Sequence, residues 1–243
     1  MIIRYIAVLL AAATAAACGG GTVTLPNRAP GAAPGSGGTP PAAGALVTST
    51  EVGTTLQIDL AGLASDPGGG RLTFALPQAT GSLGGMLSLV PERLTREVRI
   101  LQYTPAAGTA AGMTETFTYT ATNGAGLSAG NTISVTLQAK VAGQLDFQLY
   151  QAKVDPVLAA NCIGCHEAPN GGGNLQLAFA PLLGSAQMRM NYDTVRGFAD
   201  LNDPAGSPLL QKATGNNHGG GMVLTAADQE YADILGWIQA PVP

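Results

Sequence analysis

Hydrophobic and polar positions alternate along one half of the chain and recur at helical spacing along the other. Thr55-Leu56-Gln57-Ile58-Asp59-Leu60 alternates polar with apolar, as a half-buried strand does. Short apolar runs follow at Arg71–Ala75, Met86–Val90 and Val98–Tyr103. Glu115–Thr122 alternates Thr with aromatic or small residues, a composition that suits a pleated surface. Asn123-Gly124 marks a turn, and Asn131–Gln138 supplies the returning strand. About seven strands at such spacing predict an antiparallel sandwich over residues 46–140.

Beyond residue 145 the period changes. Phe147, Tyr150, Val154, Val157 and Leu158 recur at helical spacing. Asp155-Pro156 reads as an N-cap followed by Pro at the first helical position, which predicts a kink or restart there. Thr225 and Asp228 read as a capping box ahead of Tyr231, Ile234, Leu235 and Ile238 on one face. Trp237 reads as core packing.

The N-terminus has a different character. Residues 1–17 place Arg4 ahead of an apolar core, Ile6 to Ala13, and then small residues, the plan of a secretory signal. The stretch from 18 to 45 is almost wholly Gly, Pro, Ala, Ser and Thr. It cannot bury enough apolar surface to offset its ordering entropy, which predicts a disordered linker.

Composition narrows the function classes. With 11 Lys and Arg against 15 Asp and Glu, and a formal charge of -4, the chain does not carry a phosphate-neutralising surface, so no nucleic-acid partner is expected. No apolar run reaches the ~18–20 residues of a spanning helix. The sandwich has no His, no Cys and few acids, hence no catalytic constellation.

The chemistry concentrates at Cys162-Ile163-Gly164-Cys165-His166. Two thiols one helical turn apart can each bond a haem vinyl group, and the adjacent His then reaches the iron from the proximal side. Three alternatives compete. A redox CxxC would need a thioredoxin-like context. A zinc site would have to recruit His218 with the two cysteines. A plain disulfide leaves His166 unexplained. The chain has two His, so His218 is the sole second imidazole for the iron, with Met222 as the rival sixth ligand.

Several segments resemble known families. Ala15-Ala16-Ala17-Cys18 is similar to the bacterial lipobox, with Ala15 where the family prefers Leu. The resemblance implies lipidation of Cys18 and an outer-membrane lipoprotein on the periplasmic or cell-surface side; cleavage after Ala17 without lipid is the alternative. Leu72-Thr73-Phe74, Tyr103-Thr104-Pro105-Ala106, Thr116-Phe117-Thr118-Tyr119 and Thr132–Leu137 resemble the bacterial cadherin-like or immunoglobulin-like repeat. Members often bind calcium through clustered Asp. Here Asp66-Pro67-Gly68-Gly69 lacks the second Asp, which argues against calcium. Val154–Leu158 leading to CIGCH, Gly171–Leu177, Asp203-Pro204 with Ser207–Leu210, Lys212–Gly215 and His218-Gly219-Gly220-Gly221 resemble the planctomycete-type cytochrome c domain. That resemblance favours His218 over Met222 and implies one covalent haem c over residues 145–243.

The fold class expected is two domains, an all-β immunoglobulin-like sandwich followed by a mainly α class I cytochrome c-like domain. The function expected is electron transfer by a membrane-tethered monohaem cytochrome, working with a redox partner protein and not as an enzyme of its own. The alternative is an interaction or adhesion module, its sandwich binding a protein or carbohydrate, with the haem domain structural or sensory.

Overall fold

A computed structural model describes residues 38–169 and 171–243. The signal, Cys18 and most of the linker lie outside the described residues. Nine strands run from β1 to β9: β1 (Ala42–Ala43), β2 (Leu46–Glu51), β3 (Leu56–Asp59), β4 (Ala64–Ser65), β5 (Thr73–Ala75), β6 (Met86–Pro91), β7 (Val98–Thr104), β8 (Thr114–Thr122) and β9 (Ser128–Gln138). They form a four-stranded sheet, β2-β9-β8-β5, a three-stranded sheet, β3-β7-β6, and the short pair β1-β4.

The alternation seen in the sequence sorts side chains into this core. Phe117, Tyr119 and Ala121 of β8 point inward with Ile133, Val135 and Leu137 of β9, while Leu101 and Tyr103 of β7 bury with Leu56 and Ile58 of β3. Tyr103 and Phe117 meet with ring centroids 5.5 Å apart. The sheets are not antiparallel throughout. β2 runs parallel to β9, pairing Leu46 with Ile133 through Glu51 with Gln138, and the intervening strands supply the long crossover that a parallel pair requires. Asn123 wraps the β8–β9 turn with its own side chain, whose Oδ1 accepts from the Ala125 and Leu127 amides.

One buried acid escapes the sequence pattern. Glu115 is buried on β8 and accepts hydrogen bonds from the Leu83 and Gly85 amides at 3.0 and 2.8 Å and from the Tyr103 hydroxyl. It clamps the 81–85 loop, where only glycine fits at Gly81 and Gly85, since a Cβ at either would strike its carboxylate. Burial and the neighbouring carboxylate push the Tyr103 phenol well above its usual value. Asp66, at the far end of the sandwich, has its carboxylate occupied by the Gly70 amide at 2.8 Å and the Asn123 amide at 3.3 Å.

The helical region follows with α1 (Phe147–Leu149), a π turn (Tyr150–Val154), α2 (Asp155–Asn161), α3 (Ile163–His166), α4 (Ala186–Arg196), α5 (Pro208–Ala213) and α6 (Gln229–Gln239). All five apolar positions of the first helical stretch are buried. Asp155 is not an N-cap. Val154 precedes α2 in helical geometry and no side chain caps it. The π turn runs the chain on, the Asp155 amide donating to the Tyr150 carbonyl, and it feeds Pro156 without a break. Half of the capping box forms: the Asp228 carboxylate accepts from the Thr225 amide at 2.6 Å. Trp237 is fully buried, and its Nε1–H donates to the Asp146 carbonyl at 3.0 Å.

Sandwich and helices meet along the edge of β3. The Gln57 amide donates to the Leu183 carbonyl at 2.7 Å, and the Leu183 amide returns a bond to Gln57 Oε1 at 3.2 Å. A pair of groups from the 181–184 loop thus caps an otherwise open strand edge. Nearby, Arg189 of α4 reaches Glu51 at 2.9 Å and lies over the Phe147 ring at 3.5 Å.

Candidate functional site

The motif residues sit on a short helix with a loop folded against it. Cys162 joins α2 to α3, and the Cys165 and His166 amides both donate to the Cys162 carbonyl, at 3.1 and 3.0 Å. Both cysteines are free thiols, Cys162 half-buried and Cys165 exposed. Burial, with the Cys165 thiol beside it, pushes the Cys162 thiol up to about 11.

The loop after α3 returns to the motif. The Gly172 amide donates to the Cys165 carbonyl at 2.7 Å and the Leu177 amide to the His166 carbonyl at 2.9 Å. Gly171 lies so close that a Cβ there would sit 2.7 Å from His166 Cα. Gln176 ties the loop to itself through Nε2, while its buried Oε1 has no partner.

This wrapping orients the His166 imidazole. His166 Nδ1 lies 3.0 Å from the Leu175 carbonyl, so Nδ1–H donates there and Nε2 keeps its lone pair free. His218 repeats the arrangement from the 217–221 turn. Its Nδ1 lies 2.7 Å from the Gly221 carbonyl, across a turn that needs the positive φ of Asn217 and Gly221. The two rings stand with centroids 5.9 Å apart and planes 12° from parallel.

A metal held between two imidazole nitrogens at about 2 Å each puts the ring centroids roughly 6 Å apart. The His166–His218 pair has that spacing, and a carbonyl anchors each Nδ1, the usual way a protein fixes the tautomer of a ligating His. In spacing and anchoring, the His166 and His218 rings therefore suit two imidazole ligands of one metal. Met222 is 64% exposed and its backbone packs against Gly215, whereas the His218 ring faces His166. Among the described residues no three His, Cys, Asp or Glu side chains converge as a metal-binding group. Cys18 lies outside the described residues.

Comparison with known proteins speaks to the sandwich. Residues 38–136 match the bacterial Ig domain family. This stretch is therefore an Ig-like domain, and it is followed by a helical region. No curated protein matches the chain. Solved structures show faint likeness. A nucleoside hydrolase-related protein from Saccharophagus degradans, associated with carbohydrate metabolism, is 17% identical with a TM-score of 0.32, covering 42% of this chain and 26% of its own. An endo-fucoidan hydrolase of glycoside hydrolase family 107 is 17% identical with a TM-score of 0.32, covering 44% and 14%. The PKD domain from KIAA 1837 is 17% identical with a TM-score of 0.27, covering 47% and 98%. The chain thus spans about a quarter or less of the first two, and likeness at these scores supports no functional argument. No helix among the described residues is long and apolar enough to cross a membrane.

Proposed function

We propose that this is an exported interaction or adhesion protein whose Ig-like domain meets a partner and whose helical domain carries one haem c. The family match over residues 38–136 supports the interaction role. The observation that supports the haem is the imidazole pair, two rings 5.9 Å apart with each Nδ1 on a backbone carbonyl. In this reading Cys162 and Cys165 hold the haem through thioether bonds, His166 is the proximal ligand and His218 the distal one. The haem would supply one-electron exchange between ferric and ferrous iron. Lipidation of Cys18 would tether the protein to the outer membrane.

Electron transfer to a redox partner is the second reading, and one observation favours it. His166 and His218 would together hold a bound iron through two imidazoles, an arrangement that would suit electron exchange better than substrate turnover.

The test is a reduced-minus-oxidised absorption spectrum of the full chain after acid–acetone extraction. Haem that stays with the polypeptide is the expected result; a colourless or extractable product overturns the haem reading and leaves the Ig-like domain as the functional half. In the coloured protein, His218→Ala is expected to open the iron to carbon monoxide while Met222→Ala leaves its spectrum unchanged. Rapid oxidation of the reduced protein by an acceptor cytochrome would select electron transfer over adhesion.

A further inference from the structure

A cleft of about 370 Å³ lies between the β6–β7 turn of the sandwich and the helices that carry CIGCH. Its inner wall is apolar, built by Leu158 and Ile163 from the helices and by the 177–181 segment. Leu94 and Phe179 stand at its mouth, 66% and 51% exposed. The size is that of a small-molecule site, and the lining is an even mixture of polar and apolar surface.

Those polar groups are unpaired. Asp155 lines the cleft with only 7% of its surface exposed, and no hydrogen bond or ion pair from any described residue reaches its carboxylate. Its oxygens are not sealed off from solvent: the carboxylate opens to the cleft, where a donor on a bound molecule would reach it. Arg93 and Arg96 line the cleft from the turn, and neither forms an ion pair with a described residue, whereas the neighbouring Arg71 and Arg99 both pair with Glu97. Arg93 is near enough to favour the ionised form of Asp155, yet the two are not in contact.

The arginines stand on a fixed turn. The Glu92 carboxylate accepts from the Leu94 and Thr95 amides at 3.0 and 2.6 Å, and the Arg96 amide donates to the Glu92 carbonyl at 3.0 Å. Arg96 takes a left-handed conformation, φ 61°, to complete it. The turn sets Arg93 and Arg96, both solvent-exposed, on the rim of a cleft that the Asp155 carboxylate also lines, positions suited to a ligand with two unlike ends.

We propose that the cleft binds an amino-acid-like zwitterion, its ammonium group on Asp155, its carboxylate on Arg93 and Arg96, and its apolar body against Leu158, Ile163 and Phe179. A plain anion would face the Asp155 carboxylate, and a plain amine would face two guanidinium groups. A molecule bearing both charges satisfies the two ends at once. The cleft shares Ile163 with the CIGCH helix, and its lining includes neither His166 nor His218.

The test is titration calorimetry of the full chain with tryptophan, tryptamine and indole-3-acetate, probes that carry both charges, the amine alone and the acid alone. Tryptophan is expected to bind at least about tenfold more tightly than either single-ended probe. Asp155→Asn should weaken tryptophan and tryptamine by about tenfold and leave indole-3-acetate no weaker. Arg93→Gln with Arg96→Gln should do the reverse, weakening tryptophan and indole-3-acetate while sparing tryptamine. Emission from buried Trp237 in each variant, recorded without ligand, checks that the fold is kept. Absence of saturable tryptophan binding up to about 10 mM overturns the proposal, and so does binding indifferent to both sets of substitutions.

Discussion

Asp155 illustrates how one residue can be read correctly as to type and wrongly as to role. Asp followed by Pro is the local signature of a helix start, and nothing within five residues contradicts it. The π turn overrides the signature because Phe147, Tyr150 and Val154 must all reach the same core, which keeps the helix running through Pro156. The carboxylate is left facing a cleft, where burial raises its pKa against the opposing pull of Arg93. The sign of the consequence is fixed. The folded state holds this proton more tightly than the unfolded chain, so the stability tied to Asp155 is fully present below the ordinary carboxylate value of 3.8 and is lost as pH rises through the raised one. Asp155→Asn is therefore expected to raise the melting temperature at pH 7, by roughly 2–4 °C for each kcal/mol relieved, and to leave it unchanged near pH 3. Melting curves at the two pH values check this, and an equal shift at both would show that the charge of Asp155 is not the cause.

At the level of elements, most of what the chain builds is legible from period alone. Strands β3 and β8 fall where apolar and polar residues alternate, β9 where the returning strand is expected, β5, β6 and β7 on the short apolar runs, and the buried faces of α1, α2 and α6 where apolar residues recur at helical spacing. The CIGCH motif is legible because its residues are contiguous. What the pattern misses are partners brought in from afar: Glu115 meets amides about thirty positions away in the 81–85 loop, and β2 lies beside β9 without any connecting turn. The loop after α3 is a middle case. Its glycines read as a family piece, while the reason for Gly171 appears only in the fold, where the chain closes on the His166 backbone. Gly171→Ala is expected to push this loop off the motif, cost about 1–3 kcal/mol, and loosen the Nδ1 anchor of His166 to the Leu175 carbonyl. Chemical denaturation gives the first effect and the His166 imidazole resonances the second. A substitution neutral in both would mean that the loop does not hold the ring.

For the whole molecule the question is whether an Ig-like domain and a helical domain act as one body. The edge of β3 would be an open template for another chain, and the 181–184 loop covers it with two hydrogen bonds to Gln57. Gly184 makes the approach feasible: it takes φ 70°, and a Cβ there would lie 3.0 Å from the Thr55 carbonyl oxygen. Arg189 adds a second tie, its guanidinium shared between Glu51 of the sandwich and the Phe147 ring of the helical core. Lys140, just past β9, pairs at 2.7 Å with Asp146, the residue that caps α1, so the connection between the domains is itself pinned. Contacts of this kind transmit stability from one core to the other, and the intact chain is expected to melt in a single calorimetric transition. Gln57→Ala with Arg189→Ala removes the side-chain half of the Gln57 tie and the whole of the Arg189 tie, leaving the Gln57 amide on the Leu183 carbonyl, and should split the melt into two transitions, the helical one moving down by several degrees. Two transitions already present in the unaltered chain would show instead that the domains fold independently. A cleft formed by both of them would then open and close with their relative motion, and ligand binding between Arg93 and Asp155 would have to bring the domains together before it could satisfy either charge.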